Sequence, residues 1–226
     1  MKNRSAILVT ALLLASLHEG FAQGFINLNF ESATITSHPE IGANAYTATL
    51  AGWSYGANYN YVNGDANSIP YNNMSLDLPS VNLEGTNNIF GPSSIQGKYS
   101  VFIQSGSQSS SLTNGASIMQ TGQIPLSSLS AIYWGGAFQV SFNGQPVSFN
   151  AIGSGSGYSI WQADISAYAG QVGQLVFSAG QNSGLLDNIQ FSSTAVPEPG
   201  TLALAVVGAS LLGFRRQRNP RLNRGE

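Results

Sequence analysis

The sequence predicts an all-β fold, a jelly-roll-like β-sandwich, flanked by the helix of an N-terminal signal peptide and by a short C-terminal transmembrane helix. Three observations lead to this prediction. Between the two ends, apolar residues recur in short runs with period two and not with helical spacing. Turn signals rich in Gly, Asn, Ser and Pro separate these runs at intervals of about ten residues. The two ends of the chain instead carry uncharged apolar runs next to basic residues.

The first segment, residues 1–22, has the three parts of a secretory signal peptide. Basic residues near the start are followed by an apolar run at 6–17, and Gly20 and Ala22 place small residues where a signal peptidase reads the chain. We therefore expect a signal peptidase to cut between Ala22 and Gln23. The alternative, a retained N-terminal anchor, needs a longer apolar run.

Residues 23–195 are predicted to form the extracytoplasmic domain, which is long enough for one core of its own. This segment has one basic residue, Lys98, and seven acidic residues, so its net charge is about −6. Such a surface repels the phosphates of nucleic acids, and nucleic-acid binding is therefore excluded. The sequence has no cysteine, so no disulfide stabilises the domain, although export would permit one.

The strands are predicted from the alternating runs and the turn signals between them. In chain order they are 25–30, 45–53, 99–104, 117–124, the hairpin 137–150, 158–165, 174–178 and 185–191. Residues 55–97, rich in Asn, Gly and Tyr, are predicted as long loops with short strands. Residues 153–157 are predicted as a Gly/Ser loop, and residues 166–173 as a turn that can hold one helical turn.

The hairpin at 137–150 carries the clearest local pattern. Asn143 and Gly144 supply the two positive φ angles of a type I′ turn between alternating apolar residues. A two-residue loop places Val140 opposite Val147, with their side chains on one face. Pro146 lacks a backbone N–H, which predicts that the returning strand lies at a sheet edge.

The C-terminal segment, residues 196–218, combines a proline–glutamate–proline marker, an uncharged apolar run and an arginine cluster. These parts are, in order, Pro197, Glu198, Pro199, residues 201–214, Arg215, Arg216 and Arg218. A helix over the apolar run would be roughly 21 Å long, shorter than the ~30 Å of bilayer hydrocarbon. The arginines predict that residues 219–226 form a cytoplasmic tail and that the domain before the run lies outside.

This three-part segment resembles the PEP-CTERM sorting signal of Gram-negative envelope proteins. The resemblance implies that the chain is the substrate of an exosortase, a membrane cysteine transpeptidase that cuts near the marker. It further implies transient insertion into the inner membrane, followed by transfer to the cell surface or the extracellular space. An ordinary tail anchor, the alternative, needs no proline–glutamate–proline marker and is usually longer.

Within the domain, the order of segments resembles the jelly-roll sandwiches of carbohydrate-binding modules and galactose-binding-like domains. The segments are Asn-Phe-Glu at 29–31, Trp-x-x-Asp-Ile-Ser-x-Tyr-Ala-Gly-Gln at 161–171, Leu-Val-Phe at 175–177 and Leu-Asp-Asn-Ile-Gln-Phe at 186–191. In such sandwiches a structural calcium often lies between the first and last strands, which implies Glu31 and Asp187 as its ligands. The alternative is that both residues only cap strands. No cofactor is expected to be required.

An aromatic cluster in an Asn-rich region suggests a second site. Its residues are Trp53, Tyr55, Tyr59 and Tyr61. Aromatic faces beside amide groups suit stacking on sugar rings, so we expect glycan binding here. The alternative is that these rings belong to the core.

The sequence contains no complete motif of a known catalytic site. The absence of cysteine excludes Cys-His chemistry, and a Ser-His-Asp triad would have to use His38 without a Gly-x-Ser-x-Gly elbow. Asp164 has the position of a turn-capping aspartate. We therefore expect an exported, non-enzymatic envelope or matrix protein with exopolysaccharide as a partner. The alternatives are a secreted glycosidase or lyase, which needs two placed carboxylates, and a purely structural surface protein.

Overall fold

The structure, a computed structural model, describes residues 24–37, 46–56, 67–73, 78–89, 91–106, 115–180 and 182–196. In these ranges the regular elements are β-strands and one 3-10 turn at Ser166–Tyr168. The strands are β1 Ala33–Ser37, β2 Tyr46–Leu50, β3 Ser54–Gly56, β4 Ile69–Pro70, β5 Ser80–Gly85, β6 Tyr99–Gln104, β7 Ser117–Gln123, β8 Ser130–Gly135, β9 Gln139–Phe142, β10 Gln145–Val147, β11 Asn150–Gly155, β12 Tyr158–Asp164, β13 Val172–Ser178 and β14 Gly184–Ser192.

The strands form antiparallel sheets, and the predicted all-β sandwich is confirmed. A five-stranded sheet has the order β10-β9-β13-β7-β3, a six-stranded sheet has the order β11-β12-β8-β14-β6-β5, and β1-β2-β4 form a small third sheet. The two large sheets bury their inner faces against each other, as the 5.3 Å between the ring centroids of Tyr133 on β8 and Phe177 on β13 shows. The core is therefore built from alternate residues of both sheets.

No helix in the ranges that the structure describes is long and apolar enough to cross a membrane. The predicted signal-peptide helix and the predicted transmembrane helix at 201–214 lie outside the described residues.

The hairpin prediction is confirmed in its turn and its register. Asn143 and Gly144 have φ angles of 50° and 75°, and Val140 is the partner of Val147. Strand β10, which contains Pro146, lies at the edge of the five-stranded sheet. The short sequence signal suffices here because a type I′ turn fixes the register without help from distant residues.

The predicted strand at 25–30 is wrong, because this segment forms a turn. Asn27 and Phe30 both have positive φ, and the Phe30 N–H donates to Asn27 O at 3.2 Å. The side chain of Gln120 replaces a neighbouring strand: its Oε1 accepts from Ile26 N at 2.6 Å, and its Nε2 donates to Ile26 O at 3.0 Å. A buried amide side chain thus satisfies the backbone groups that a sheet would otherwise pair.

The Gly/Ser segment at 153–157 is not simply a loop, because β11 includes Gly153, Ser154 and Gly155. Strands β1 and β8 were not predicted, and β3, β4 and β5 were not predicted individually. Strand β8 lies between β12 and β14, and it carries apolar residues on both of its faces, so its sequence lacks the polar–apolar alternation that predicts a strand. Strand β5 falls in the region predicted as long loops with short strands, yet all its residues are buried.

Candidate functional site

A bulge in β14 brings the two sequence-predicted calcium ligands to one place. The pairing of β14 with β8 shifts register between Asp187 and Gln190, and Asn188 inside the bulge has a φ of 49°. The next residue, Ile189, donates its N–H to Leu28 O at 3.0 Å. This bond places the turn that ends at Glu31 beside Asp187.

The carboxylate of Glu31 binds the backbone at the start of β6. Its Oε1 accepts the backbone N–H groups of Lys98 at 2.8 Å and Tyr99 at 3.2 Å. Gly97, with a φ of +62°, lies against this carboxylate, and a Cβ at that position would collide with Oε1. The close approach therefore requires glycine at position 97.

Asp187 is 1% exposed and accepts three hydrogen bonds. Oδ2 accepts from Ser100 Oγ at 2.7 Å and from Gln96 N at 3.1 Å, and Oδ1 accepts from Asn188 N at 2.6 Å. The pKa of Asp187 is raised to about 6, because burial and, to a smaller extent, the charge of Glu31 raise it more than the three hydrogen bonds lower it. Asp187 is thus a carboxylate that would gain from a nearby positive charge.

The two carboxylates line one pocket of about 160 Å³. The other residues that line it are Asn29, Gln96, Gly97 and Asn188. No cluster of three or more His, Cys, Asp or Glu residues occurs in the described ranges, so further ligands would have to be neutral oxygens. The hydrogen bonds from residues 96–100 agree with the alternative that the carboxylates cap β6, whereas the shared pocket agrees with a cation.

A larger groove, about 690 Å³, lies on the five-stranded sheet. Its polar lining comes from outward-facing residues that alternate with core residues along β7, β9 and β13: Gln139 and Ser141 alternate with buried Val140 and Phe142. Ser141 is the partner of Val176, and Gln139 is the partner of Ser178. Ser178 is also the partner of Ser117, so Gln139, Ser178 and Ser117 form a polar row in register across β9, β13 and β7.

The groove is uncharged. Its lining consists of Gly115, Ser117, Phe138, Gln139, Val140, Ser141, Pro146, Val147, Ser148, Phe149, Val176 and Ser178. Hydroxyl and amide groups both donate and accept hydrogen bonds, and the apolar members offer non-polar contact. This site was not predicted from the sequence, although the polar members of the alternating pattern at 138–142 were its signal.

The structure corrects the predicted stacking cluster. Trp53 is 6% exposed, packs against Phe30 with ring centroids 5.5 Å apart, and donates Nε1–H to Asn27 O. Its ring is therefore part of the core, as the alternative held. Tyr55 is half-buried against the core. Tyr59 and Tyr61 lie outside the described residues.

A third carboxyl group, Glu84 on β5, is fully buried beneath the loop that follows this strand. Its Oε2 accepts a short hydrogen bond from Asn88 Nδ2, whereas Oε1 has no partner among the described residues. Burial raises the pKa of Glu84 to about 8, and the Asn88 bond lowers it by less. With a pKa of about 8, Glu84 is mostly protonated in the folded protein at pH 7.

Asp164 lies at the end of β12 and caps the turn that follows. Its Oδ1 accepts the N–H of Ser166 at 2.9 Å. Hydrogen bonds from the backbone and side chain of Ser166 lower its pKa. This geometry agrees with the turn-capping role that its position suggests.

The comparisons with known proteins bear on the C-terminal segment. A family model described as the PEP-CTERM protein-sorting motif matches residues 195–218, which confirms the predicted sorting signal. The motif supports an exported protein that an exosortase processes and that reaches the cell surface or the extracellular space. Comparisons with curated proteins and with solved structures found no match, so the resemblance to carbohydrate-binding sandwiches stays a prediction.

Several sequence-predicted site residues lie outside the described residues, and their roles stay predictions. These are Ala22, Gln23, Pro197, Glu198, Pro199, Arg215, Arg216 and Arg218. The first two form the expected signal-peptidase site, and the others belong to the sorting signal.

Proposed function

We propose that the exported domain binds neutral exopolysaccharide without cleaving it, and that the groove on the five-stranded sheet is the binding surface. One observation carries this proposal: the groove is open, uncharged, and lined by hydroxyl and amide side chains in register across three strands. Its volume lies within the usual range of ligand sites, about 300–1,000 Å³. A sorting signal that sends the protein outward supports a ligand found outside the cell.

The chemistry of the groove favours a sugar chain. Sugar hydroxyls donate and accept, as do Ser117, Ser141 and the amide of Gln139. The C–H faces of sugar rings need apolar contact, which Val176 and Pro146 offer within the same lining. The acidic domain repels polyanions, so the favoured ligand is a neutral chain.

The positions of the described carboxylates support binding without cleavage. A glycosidase needs two acidic groups beside the scissile bond, and neither Glu31, Glu84, Asp164 nor Asp187 lines the groove. Glu84 and Asp187 flank Ser100 on one sheet face, about 9.5 Å apart by strand spacing. Both carboxyl groups are buried from solvent, which supports a role other than cleavage of a bound glycan.

Filling the groove should abolish its glycan binding. We expect Ser141→Trp to lower the crosslinking of a diazirine-labelled neutral hexasaccharide to peptides from residues 138–149 at least about tenfold, since the indole occupies the glycan's space. The readout is mass spectrometry of peptic peptides from the full-length chain in a non-glycosidic detergent. Gln174→Trp is the matched control, because Gln174 is exposed on β13 outside the groove.

Unchanged crosslinking in a folded Ser141→Trp protein would reject the groove as the site. Shortening of the hexasaccharide by the unmodified protein would instead favour the secreted enzyme. Self-association with no crosslinking to any glycan would favour the purely structural surface protein.

We also propose that the pocket between Glu31 and Asp187 holds a structural calcium. Two carboxylates with neutral oxygens from the surrounding loops provide the hard ligands that calcium prefers. The raised pKa of Asp187 supports this role, since the cation would stabilise a carboxylate that burial disfavours.

Calcium should raise the melting temperature of the unmodified chain. At a calcium concentration of 100 times Kd, linkage gives about 2.7 kcal/mol, or roughly 5–10 °C for a domain of this size. We expect Glu31→Gln to lose this response and Asp164→Asn to keep it. The response should weaken as pH falls through 6, because protons compete for Asp187. A melting temperature that EDTA leaves unchanged, at pH 7.5, would reject the calcium site.

A further inference from the structure

A stacked aromatic pair lies on the outer face of the six-stranded sheet, on the opposite side of the sandwich from the groove. Trp134 on β8 and Tyr158 on β12 have ring centroids 5.3 Å apart and ring planes that differ by 14°. Trp134 follows Tyr133, which points into the core, so alternation directs Trp134 outward. Both rings are half-buried, and neither is among the residues packed against the core.

The glycines of β11 make room for this pair. Gly155 is the partner of Tyr158, and a Cβ at Gly155 would collide with the tyrosine ring. Gly153 lies against the side chain of Ile160, which is itself the partner of Trp134. The segment that was predicted as a Gly/Ser loop thus lets the side chains of Trp134, Tyr158 and Ile160 form one surface at the end of the sheet.

The exposed surroundings of the pair are polar and uncharged, and a buried carboxyl group lies next to Trp134 on the same face. Ser156 is exposed in the turn between Gly155 and Tyr158, whereas Ser154, the partner of Ser159, lies on the other face of the sheet. Asp187, the partner of Trp134 on the same face, is buried. Two nearly parallel, half-buried rings beside the exposed hydroxyl of Ser156 suit the C–H face and the hydroxyl edge of a neutral sugar.

We infer that Trp134 and Tyr158 form a second glycan site, so that one domain bridges two polysaccharide chains from opposite faces. This inference rests on the proposed function for its bridging role. The groove lies on the outer face of the five-stranded sheet and the aromatic pair on the outer face of the six-stranded sheet, so one chain at each site would be separated by the whole sandwich. Bridging would convert a binding protein into a cross-linker of an extracellular matrix, and linked sites gain avidity without new contacts.

Calorimetry with a neutral hexasaccharide tests the inference on the full-length chain in a non-glycosidic detergent. We expect a stoichiometry of about two for the unmodified protein and about one for Trp134→Ala, with affinity at the lost site reduced about tenfold or more. Gly155→Val, which displaces the Tyr158 ring but keeps both aromatic residues, should give the same loss. Ile152→Ala is the control, because Ile152 is 53% exposed on the same strand as Gly155.

Bridging has a separate readout. The unmodified protein should raise the viscosity of a neutral glucan solution, whereas Trp134→Ala and Ser141→Trp should each bind one hexasaccharide and leave the viscosity unchanged. If the unmodified protein and Trp134→Ala each bind one hexasaccharide, the second site is overturned while the groove proposal stands. Loss of all binding in Trp134→Ala, with Ser141→Trp unaffected, would overturn the groove and the bridging but keep the aromatic site. Dimerisation that Trp134→Ala abolishes, with no change in stoichiometry, would assign the pair to a second copy of the chain and overturn the inference.

Discussion

Glu198→Ala is expected to convert a released protein into one that stays in the membrane fraction. The unmodified chain should yield a mature form whose C-terminus lies upstream of Arg215, whereas the variant should keep its full C-terminus and its released form should fall to background. Pro197 and Pro199 favour an extended backbone that an exosortase can bind, and Glu198 supplies the charge between them. The measurement is cell fractionation with mass spectrometry of the C-terminal peptide.

Glu226→Ala is the matched control, because it removes a carboxylate that lies beyond the sorting motif at 195–218. It should be processed like the unmodified chain. A mature C-terminus that still carries Arg215 in the unmodified protein would contradict the prediction and show that residues 201–214 form a permanent anchor.

Local signals made part of the fold predictable from the sequence. The hairpin around Asn143 and Gly144 has the right turn and register because its determinants are adjacent in the chain. Strand β6 matches the predicted residues 99–104, and β12 begins at the predicted Tyr158, since each follows a turn signal. The sorting signal was also readable, because its three parts are contiguous.

The failures have a common physical cause, which is burial decided by distant residues. Residues 25–30 alternate like a strand, but the Gln120 side chain, 94 positions from Ile26, satisfies the backbone and permits a turn. Asn82 and Glu84 of strand β5 are fully buried, whereas their polar side chains predict exposure to solvent. No local pattern reports that a loop will cover such groups.

The candidate sites were also predictable from the sequence only in part. Glu31 and Asp187 were assigned by resemblance, and the bulge after Asp187 does place both in one pocket. Trp53 was assigned to a surface and lies in the core. The groove and the Trp134–Tyr158 pair depend on which strands become neighbours, and β8, which carries Trp134, was not predicted at all.

The stability of the folded chain is expected to fall by about 3 kcal/mol between pH 6 and pH 9 because of Glu84, and Glu84→Gln should remove that fall. The group has a pKa of about 8 when folded and 4.5 as a free side chain. The folded state therefore holds a proton that the unfolded state has already lost, so stability decreases as pH rises from about 4.5 and levels off above about 8. Glutamine is the neutral isostere and keeps an oxygen for Asn88.

Thermal unfolding of the full-length chain in EDTA, at pH 6, 7, 8 and 9, measures this effect. The window begins at pH 6 because Asp187, with a pKa of about 6, produces a fall of the same sign at lower pH. Asp164→Asn is the control: hydrogen bonds lower the pKa of this exposed carboxyl, so its stabilising contribution is lost only as pH falls toward acid. The expected result is that Glu84→Gln already exceeds the unmodified chain at pH 6, by about 2 kcal/mol, and that this difference grows progressively up to pH 9. Parallel curves for the two proteins would show that Glu84 is ionised inside the fold, and that the layer between β5 and its covering loop admits water.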